Sequence, residues 1–182
     1  MSKNTKSDGV AALVVGVDGS AGAAAALGWA VTEARLRKAP LRVVHAWTYG
    51  YSGMPVGGLG AAGGFVSYVW PGISPQDLQR GAENLLEKAI GEVAGGVEGV
   101  EIDRQVAEGG AAETLLGVAA TGDLLVVGSR GHGGFVGLLP GSVSQQCVHY
   151  APCPVVVVQA PKATAADDEL ARSGATEIAT AV

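Results

Sequence analysis

The stretch covering residues 123–159 constrains the fold of this chain more than any other part of it. It contains two apolar runs, 124–127 and Val155–Val158, separated by a glycine-rich loop and by a helix-like stretch that ends before Pro152. Short apolar runs bounded by turn residues are typical of strands that are buried on both faces of a sheet. The stretch therefore predicts a strand, a glycine loop, a helix and a second strand, which together form one βαβ unit.

The same alternation of strand and helix runs through the rest of the chain. Strands are predicted at 10–17, 41–47 and 100–106, and helices at 21–38, 75–93 and 111–120. Alternating strands and helices favour a parallel sheet with right-handed crossovers, so we predict one doubly wound α/β domain over residues 10–160. Residues 1–9 are predicted to be a disordered N-terminus, and residues 161–182 a flexible C-terminal tail.

Composition excludes several classes of protein. The net charge of −5 argues against a nucleic-acid-binding surface, because phosphate backbones need clustered Lys and Arg. Two cysteines do not imply a disulfide framework. No charged-then-apolar leader is recognised, and no uncharged apolar run approaches the roughly 18 residues of a membrane span. We therefore expect a soluble cytoplasmic protein with no membrane partner.

The segment 48–73 shows no periodicity. It is rich in glycine and carries scattered aromatic residues such as Tyr51, Phe65 and Trp70. It follows the carboxyl end of the second predicted strand, which is the end where open α/β sheets bind ligands. A loop this long is either a lid or interaction segment, or a disordered insertion.

The loop after the strand at 124–127 has the properties of a phosphate-binding loop. Five glycines fall between Gly131 and Gly141, and Ser142 is predicted to cap the following helix with Gln145 as its capping-box partner. A helix N-terminus attracts anions, and Arg130 adds a guanidinium suited to phosphate. The loop lacks the Gly-Lys-Ser/Thr of a Walker A motif and the glycine spacing of a Rossmann motif. The alternative is a flexible surface loop in a chain that holds 29 glycines.

The glycine spacing favours the functional interpretation. Gly128, two residues, Gly131, nine residues and then Gly141-Ser142 resembles the nucleotide-binding signature of the universal stress protein family. The flanking sequences VVGSRGHGG, LLPGSVSQQ and HYAPCPVVVV are also similar to that family, and the resemblance extends over about residues 10–159. It implies ATP as the ligand, with Mg²⁺, and a five-stranded parallel sheet in the order 3-2-1-4-5.

In such a sheet the ligand crevice lies where the strand order reverses, between the first and fourth strands. Asp18 and Gly128 end those two strands, so both should face the crevice. The resemblance implies that Ala46 meets adenine through its backbone and that the remaining residues line the first strand's end or hold ribose and phosphates. The complete implied set is Gly16, Val17, Asp18, Ala46, Gly128, Arg130, Gly131, Gly141, Ser142, Val143 and Ser144. Asp18 has an alternative role as an acidic residue at a helix N-terminus.

The strand order also predicts an assembly. It places the apolar strand Val155, Val156, Val157 and Val158 at an edge, where an unpaired hydrophobic strand invites aggregation. In members of the family a second protomer covers this strand, so the resemblance implies a homodimer.

No catalytic group is predicted. His45 lies in an apolar strand and is expected to be a hydrogen-bonded core residue, whereas His132 lies in the glycine loop. Cys147, His149 and Cys153 match no common zinc spacing, and Cys147 is expected in the core. We therefore expect a nucleotide-dependent regulatory module. The alternatives are a slow ATPase or phosphotransferase, and a dimeric interaction protein that does not require nucleotide.

Overall fold

The structure is a computed structural model, and it describes residues 10–49, 51–55, 65–68, 74–129 and 141–160. The predictions made for residues 1–9, for the tail at 161–182 and for most of the glycine loop fall outside this part of the chain. In chain order, the elements are β1 (Leu13–Gly16), α1 (Ala21–Arg37), β2 (Leu41–Trp47), β3 (Tyr51–Pro55), β4 (Phe65–Tyr68), α2 (Pro75–Gly91), β5 (Ile102–Glu108), α3 (Ala111–Val118), β6 (Leu124–Gly128), α4 (Ser142–Tyr150) and β7 (Val155–Val158).

Five parallel strands form the main sheet in the order β5-β2-β1-β6-β7. Counted along this sheet, that is the predicted order 3-2-1-4-5, so the predicted fold class is confirmed. β1 lies at the centre, where Leu13 pairs with Leu41 on one side and with Leu124 on the other. The apolar strands β1 and β6 lie inside the sheet, whereas β5, which carries charged residues, and the apolar β7 form its two edges.

Helices cover both faces of the sheet. α1 and α2 pack on one face over a cluster that includes Leu13, Val15 and Val43, whereas α3 and α4 pack on the other face over Val14 and Leu125. Successive residues of a strand point to opposite faces, so a strand covered on both faces must be apolar throughout. Among the residues that the structure describes, no helix is long and apolar enough to span a membrane.

The helix ends follow from local sequence. Ser20 caps α1 by accepting a hydrogen bond from the Ala23 N–H at 3.2 Å, and Lys38 ends the helix in the left-handed conformation with φ 53°. α2 begins with a capping box between Ser74 and Asp77, with Pro75 at its first turn. The hydrogen bond from the Ser74 hydroxyl lowers the pKa of the Asp77 carboxyl, so Asp77 stays charged at the positive end of the helix.

The structure differs from the predictions in the segment 48–73 and at the end of β5. The segment 48–73, which showed no periodicity, contains the antiparallel pair β3 and β4, with Tyr51 opposite Tyr68 and a register shift between Ser52 and Met54. Strands of four and five residues, one of which contains Gly53 and ends at Pro55, are too short to show a period. β5 ends two residues later than predicted, because Ala107 and Glu108 pair with the last residues of β2.

The edge strand β7 exposes part of its apolar surface. Val156 and Val158 pack towards the cluster under α1, whereas Val157 points to the other face and is 37% exposed. The outer backbone edge of β7 has no strand partner in the described part of the chain. In α4, Val148 is 57% exposed, since it lies about 100° around the helix from the buried Cys147.

Candidate nucleotide site

The structure places most of the predicted site residues at one end of the sheet. β1 and β6 are neighbours, and their carboxyl ends, at Gly16 and Gly128, border the crevice at which the strand order reverses. The first turn of α4 is fastened to the same end, because the Gly141 N–H donates to the Ser129 carbonyl at 2.8 Å. Arg130 and Gly131, which belong to the predicted set, lie outside the described residues.

The turn after β1 holds Asp18 in a defined position. Its Oδ1 accepts a hydrogen bond from the Ser20 N–H at 2.9 Å, so the carboxylate also orders the entry to α1. Asp18 is half-buried rather than enclosed. The structural role proposed for this residue is therefore present.

The two strand-ending glycines are explained by packing. A Cβ atom on Gly128 would lie 2.7 Å from the backbone carbon of Gly22, in the first turn of α1. A Cβ atom on Gly16 would lie 2.8 Å from a methyl group of Leu115 in α3. Gly128 is thus required for the close approach of α1 to β6, in addition to any contact with a ligand. This packing role has no signal in the sequence, because the spacing of the motif already accounts for the glycine.

The cap predicted for α4 is wrong by one residue. Gly141, with φ −63° and ψ 157°, is the N-cap, and Ser142 already has helical geometry. Gln145 therefore lies one position beyond the place that a capping box requires, and no side-chain cap forms. The three residues Ser142, Val143 and Ser144 make up the first turn, where backbone N–H groups have no acceptor within the helix.

The two serines of this turn face different surroundings. Ser144 is 1% exposed, and its hydroxyl donates to the Gly141 carbonyl at 2.8 Å. A serine hydroxyl has one proton to donate, so in this arrangement Ser144 cannot also donate to a phosphate. The Ser142 side chain is exposed at the start of the helix. Of the two serine side chains, only that of Ser142 is therefore exposed at the helix start, and Ser144 holds the turn together.

His45 and Ala46 lie at the carboxyl end of β2, next to Val17. The Nδ1 atom of His45 lies 2.7 Å from the Val17 carbonyl oxygen, and His45 is half-buried. The expectation of a hydrogen-bonded histidine is confirmed, but its partner is the main chain at the crevice. Nothing in the sequence signals this link except the position of His45 in the strand.

Neither cysteine has the character of a nucleophile. Burial raises the pKa of the Cys147 thiol, and burial also raises that of Cys153, so both favour the neutral thiol. Cys147 is fully buried among the apolar residues under α4, which confirms its place in the core. Within the part of the chain that is described, no three His, Cys, Asp or Glu side chains group as a metal site would require.

A separate cleft of about 640 Å³ lies between α1 and α2. Small residues of α1, including Ala24, Ala25 and Gly28, line one wall, and Leu85 and Ala89 of α2 line the other. The cleft reaches the turn after β1, but its lining does not include Ala46, Gly128 or the start of α4. It is therefore distinct from the crevice between β1 and β6.

Solved structures of low identity share this fold. The chain aligns with the universal stress protein UspA from Lactobacillus plantarum with a TM-score of 0.61 and 21% identity, covering 84% of this chain and 99% of that one. It aligns with a universal stress protein in complex with cAMP at a TM-score of 0.51 and 22% identity, covering 85% of this chain and all of that one. It also aligns with the universal stress protein from Archaeoglobus fulgidus in complex with dAMP at a TM-score of 0.52 and 24% identity, covering 81% of this chain and 96% of that one.

Curated relatives resemble the chain more closely in sequence. A universal stress protein of Mycolicibacterium smegmatis is 32% identical over 158 residues, which are 87% of this chain and 51% of the relative. A universal stress protein of Mycobacterium tuberculosis is 34% identical over 149 residues, which are 82% of this chain and 45% of the relative. The chain thus spans about half the length of these relatives. The sequence model of the universal stress protein family matches residues 11–159, so the chain belongs to the universal stress protein family.

Proposed function

We propose that this protein binds ATP together with Mg²⁺ in the crevice between β1 and β6, and that it acts as a cytoplasmic, homodimeric regulatory module in the stress response. The observation that carries the proposal is the fastening of the α4 N-terminus to the end of β6 by the Gly141–Ser129 hydrogen bond. This bond directs a helix N-terminus, which favours negative charge, to the point where an open α/β sheet binds ligands.

Each predicted residue has a role in this proposal. The backbone of Ala46 meets the base, Asp18 accepts a ribose hydroxyl or holds the metal ion, and the N–H groups of Ser142 and Val143 meet phosphate oxygens. Arg130 and Gly131 would complete the phosphate site from the loop between β6 and α4. The complexes of similar proteins with cAMP and with dAMP support an adenine nucleotide as the ligand class. Mg²⁺ would neutralise part of the phosphate charge beside the Asp18 carboxylate.

Binding is better supported than rapid catalysis. Phosphoryl transfer needs a group that orients or deprotonates the attacking nucleophile. Among the described residues, His45 is the histidine beside the crevice; its Nδ1 donates to the Val17 carbonyl, and Asp18 already supports the turn into α1. A slow ATPase or phosphotransferase is the second candidate, and an interaction protein that does not require nucleotide is the third. Analysis of nucleotide retained by the purified protein, followed by an assay for ADP over time, separates the three.

Replacing Asp18 tests the crevice directly. We expect Asp18→Ala to weaken ATP binding at least about tenfold, which is the value of one charge-assisted hydrogen bond. The measurement is calorimetric titration at constant Mg²⁺. Ser20→Ala is the matched control, because it removes the Ser20 cap of α1 but keeps the Asp18 carboxylate. If Ser20→Ala weakens ATP binding as much as Asp18→Ala does, the Asp18 carboxylate affects binding only by ordering the entry to α1 and does not contact the nucleotide.

The proposed homodimer rests on the uncovered edge of β7. Pairing two such edges would satisfy their N–H and C=O groups and remove apolar surface from water. We expect Val157→Asp to convert the dimer to a folded monomer, because this residue is 37% exposed in the single chain. Val156→Asp should instead lower the melting temperature, because Val156 packs on the main core. Light scattering and thermal melts distinguish these results, and a parent protein that is monomeric at micromolar concentration would refute the dimer.

A further inference from the structure

The pairing of β1 with β2 stops at the crevice. The last backbone bond between them runs from the Val17 N–H to the Val44 carbonyl, at 2.9 Å. Even-numbered residues of β2 direct their backbone groups to β1, whereas odd-numbered residues direct theirs to β5, as the bond from the Gly109 N–H to the Trp47 carbonyl shows. In a parallel ladder the next bond would therefore join the Ala46 N–H to the Val17 carbonyl.

That bond is replaced by a side chain. The His45 Nδ1 lies 2.7 Å from the Val17 carbonyl oxygen. A carbonyl oxygen only accepts hydrogen bonds, so Nδ1 must carry the proton and donate. Among the residues that the structure describes, no acceptor is found for the Ala46 N–H and no donor for the Ala46 carbonyl.

We infer that His45 is a positioning residue that ends the β1–β2 ladder one bond early and so presents the Ala46 N–H and C=O to the base of a nucleotide. This inference rests on the proposed function. Both groups of Ala46 point to the β1 side of β2, so they form an adjacent donor and acceptor. Since half-buried backbone groups need partners, this pair favours a ligand with the matching pattern.

The pattern selects adenine. Adenine places its N1 acceptor beside the N6 amino donor, and this matches a backbone N–H beside a C=O. Guanine and hypoxanthine place an N1–H donor beside the O6 acceptor, which reverses the order of donor and acceptor. The N1–H donor would then face the Ala46 N–H, and O6 would face the Ala46 carbonyl. A site with fixed polar groups discriminates strongly against a ligand that leaves them unpaired.

The test compares His45→Leu with His45→Asn. The side-chain amide of Asn can donate a hydrogen bond to the Val17 carbonyl from nearly the position of Nδ1, whereas Leu cannot. In His45→Leu we therefore expect the Ala46 N–H to donate to the Val17 carbonyl instead. Amide hydrogen exchange without nucleotide should then be fast at Ala46 in the parent and in His45→Asn, and at least about tenfold slower in His45→Leu. Calorimetry with ATP and ITP should show a preference for ATP in the first two proteins that falls about tenfold in His45→Leu.

Two results would overturn the inference. One is an Ala46 amide that is as protected from hydrogen exchange in the parent as the Val44 amide, which would show that the β1–β2 ladder continues. This measurement needs no variant and no nucleotide. The other is a folded His45→Leu protein, checked by its thermal melt, that keeps the parent's ratio of ATP to ITP affinity. Failure of the parent to bind either nucleotide would refute the proposed function and the base selection together, while the exchange rates would still decide whether His45 ends the ladder.

Discussion

Gly128→Ala is expected to destabilise the folded protein by about 3 kcal/mol, at the upper end of the usual cost of overpacking a core. The added Cβ would lie 2.7 Å from the Gly22 carbon, 2.8 Å from the Gly22 oxygen and 3.0 Å from the Ala23 nitrogen. All three atoms belong to the backbone of the first turn of α1, so no side-chain rotation can relieve the contact. Either α1 moves away from β6, or the end of β6 is displaced.

Gly28→Ala is the matched control for this prediction. Gly28 lies in the interior of α1, and a Cβ placed on it would meet nothing within 4 Å. The same chemical change should therefore stabilise the protein by about 0.5–1 kcal/mol, because Ala is the better helix former. Urea unfolding of both variants measures the difference. Equal stabilities of Gly128→Ala and the parent would show that α1 does not approach β6 as closely as the structure has it.

Asp123→Ala is expected to cost about 3 kcal/mol, at the lower end of the range for breaking a buried ion pair. The Asp123 Oδ2 accepts hydrogen bonds from the Arg42 Nη1 at 3.0 Å and from the Ala120 N–H at 2.9 Å, and Asp123 is only 3% exposed. Removing the carboxylate leaves a cation and a backbone donor without their acceptor. Because the Arg42 side chain is 33% exposed, water can solvate part of the guanidinium, which places the cost at the low end.

A double-mutant cycle isolates the ion pair from the other effects of Asp123→Ala. Arg42→Met removes the charge but keeps an apolar side chain of similar length on β2. The double variant should lose less stability than the sum of the two single variants, by about 1 kcal/mol or more, because the stranded cation is then absent. Additive losses would show that the pair does not interact and that the Ala120 hydrogen bond accounts for the effect of Asp123.

Much of the fold could be predicted because its signals are local. β2 and β7 agree with prediction to the residue, since each is a run of apolar and β-branched residues that follows a proline, Pro40 or Pro154. The strand order was implied by the resemblance to the universal stress protein family, and the structure confirms it. The end of β5 and the hairpin of β3 and β4 were missed, because strand pairing rather than sequence period defines them.

The site could be predicted in outline but not in its internal bonding. Glycine spacing and strand ends located Asp18, Gly128 and the start of α4 at the carboxyl ends of the strands of the sheet. The spacing could not show that Gly128 packs on α1, nor that the hydroxyl of Ser144 turns inward to the Gly141 carbonyl. Both facts depend on the approach of elements that are distant in the sequence or on the exact start of a helix.

A titration of the ¹⁵N-labelled, nucleotide-free protein with ATP and Mg²⁺, followed by amide chemical shifts, tests the central claim most directly. The account predicts saturable shifts, with one ATP per chain, that centre on Val17, Asp18, Ala46, Ser129 and the first turn of α4. Amides along α2 should remain unchanged and serve as the internal control. The absence of saturable shifts at millimolar ATP in the folded protein, or shifts confined to the cleft between α1 and α2, would contradict it.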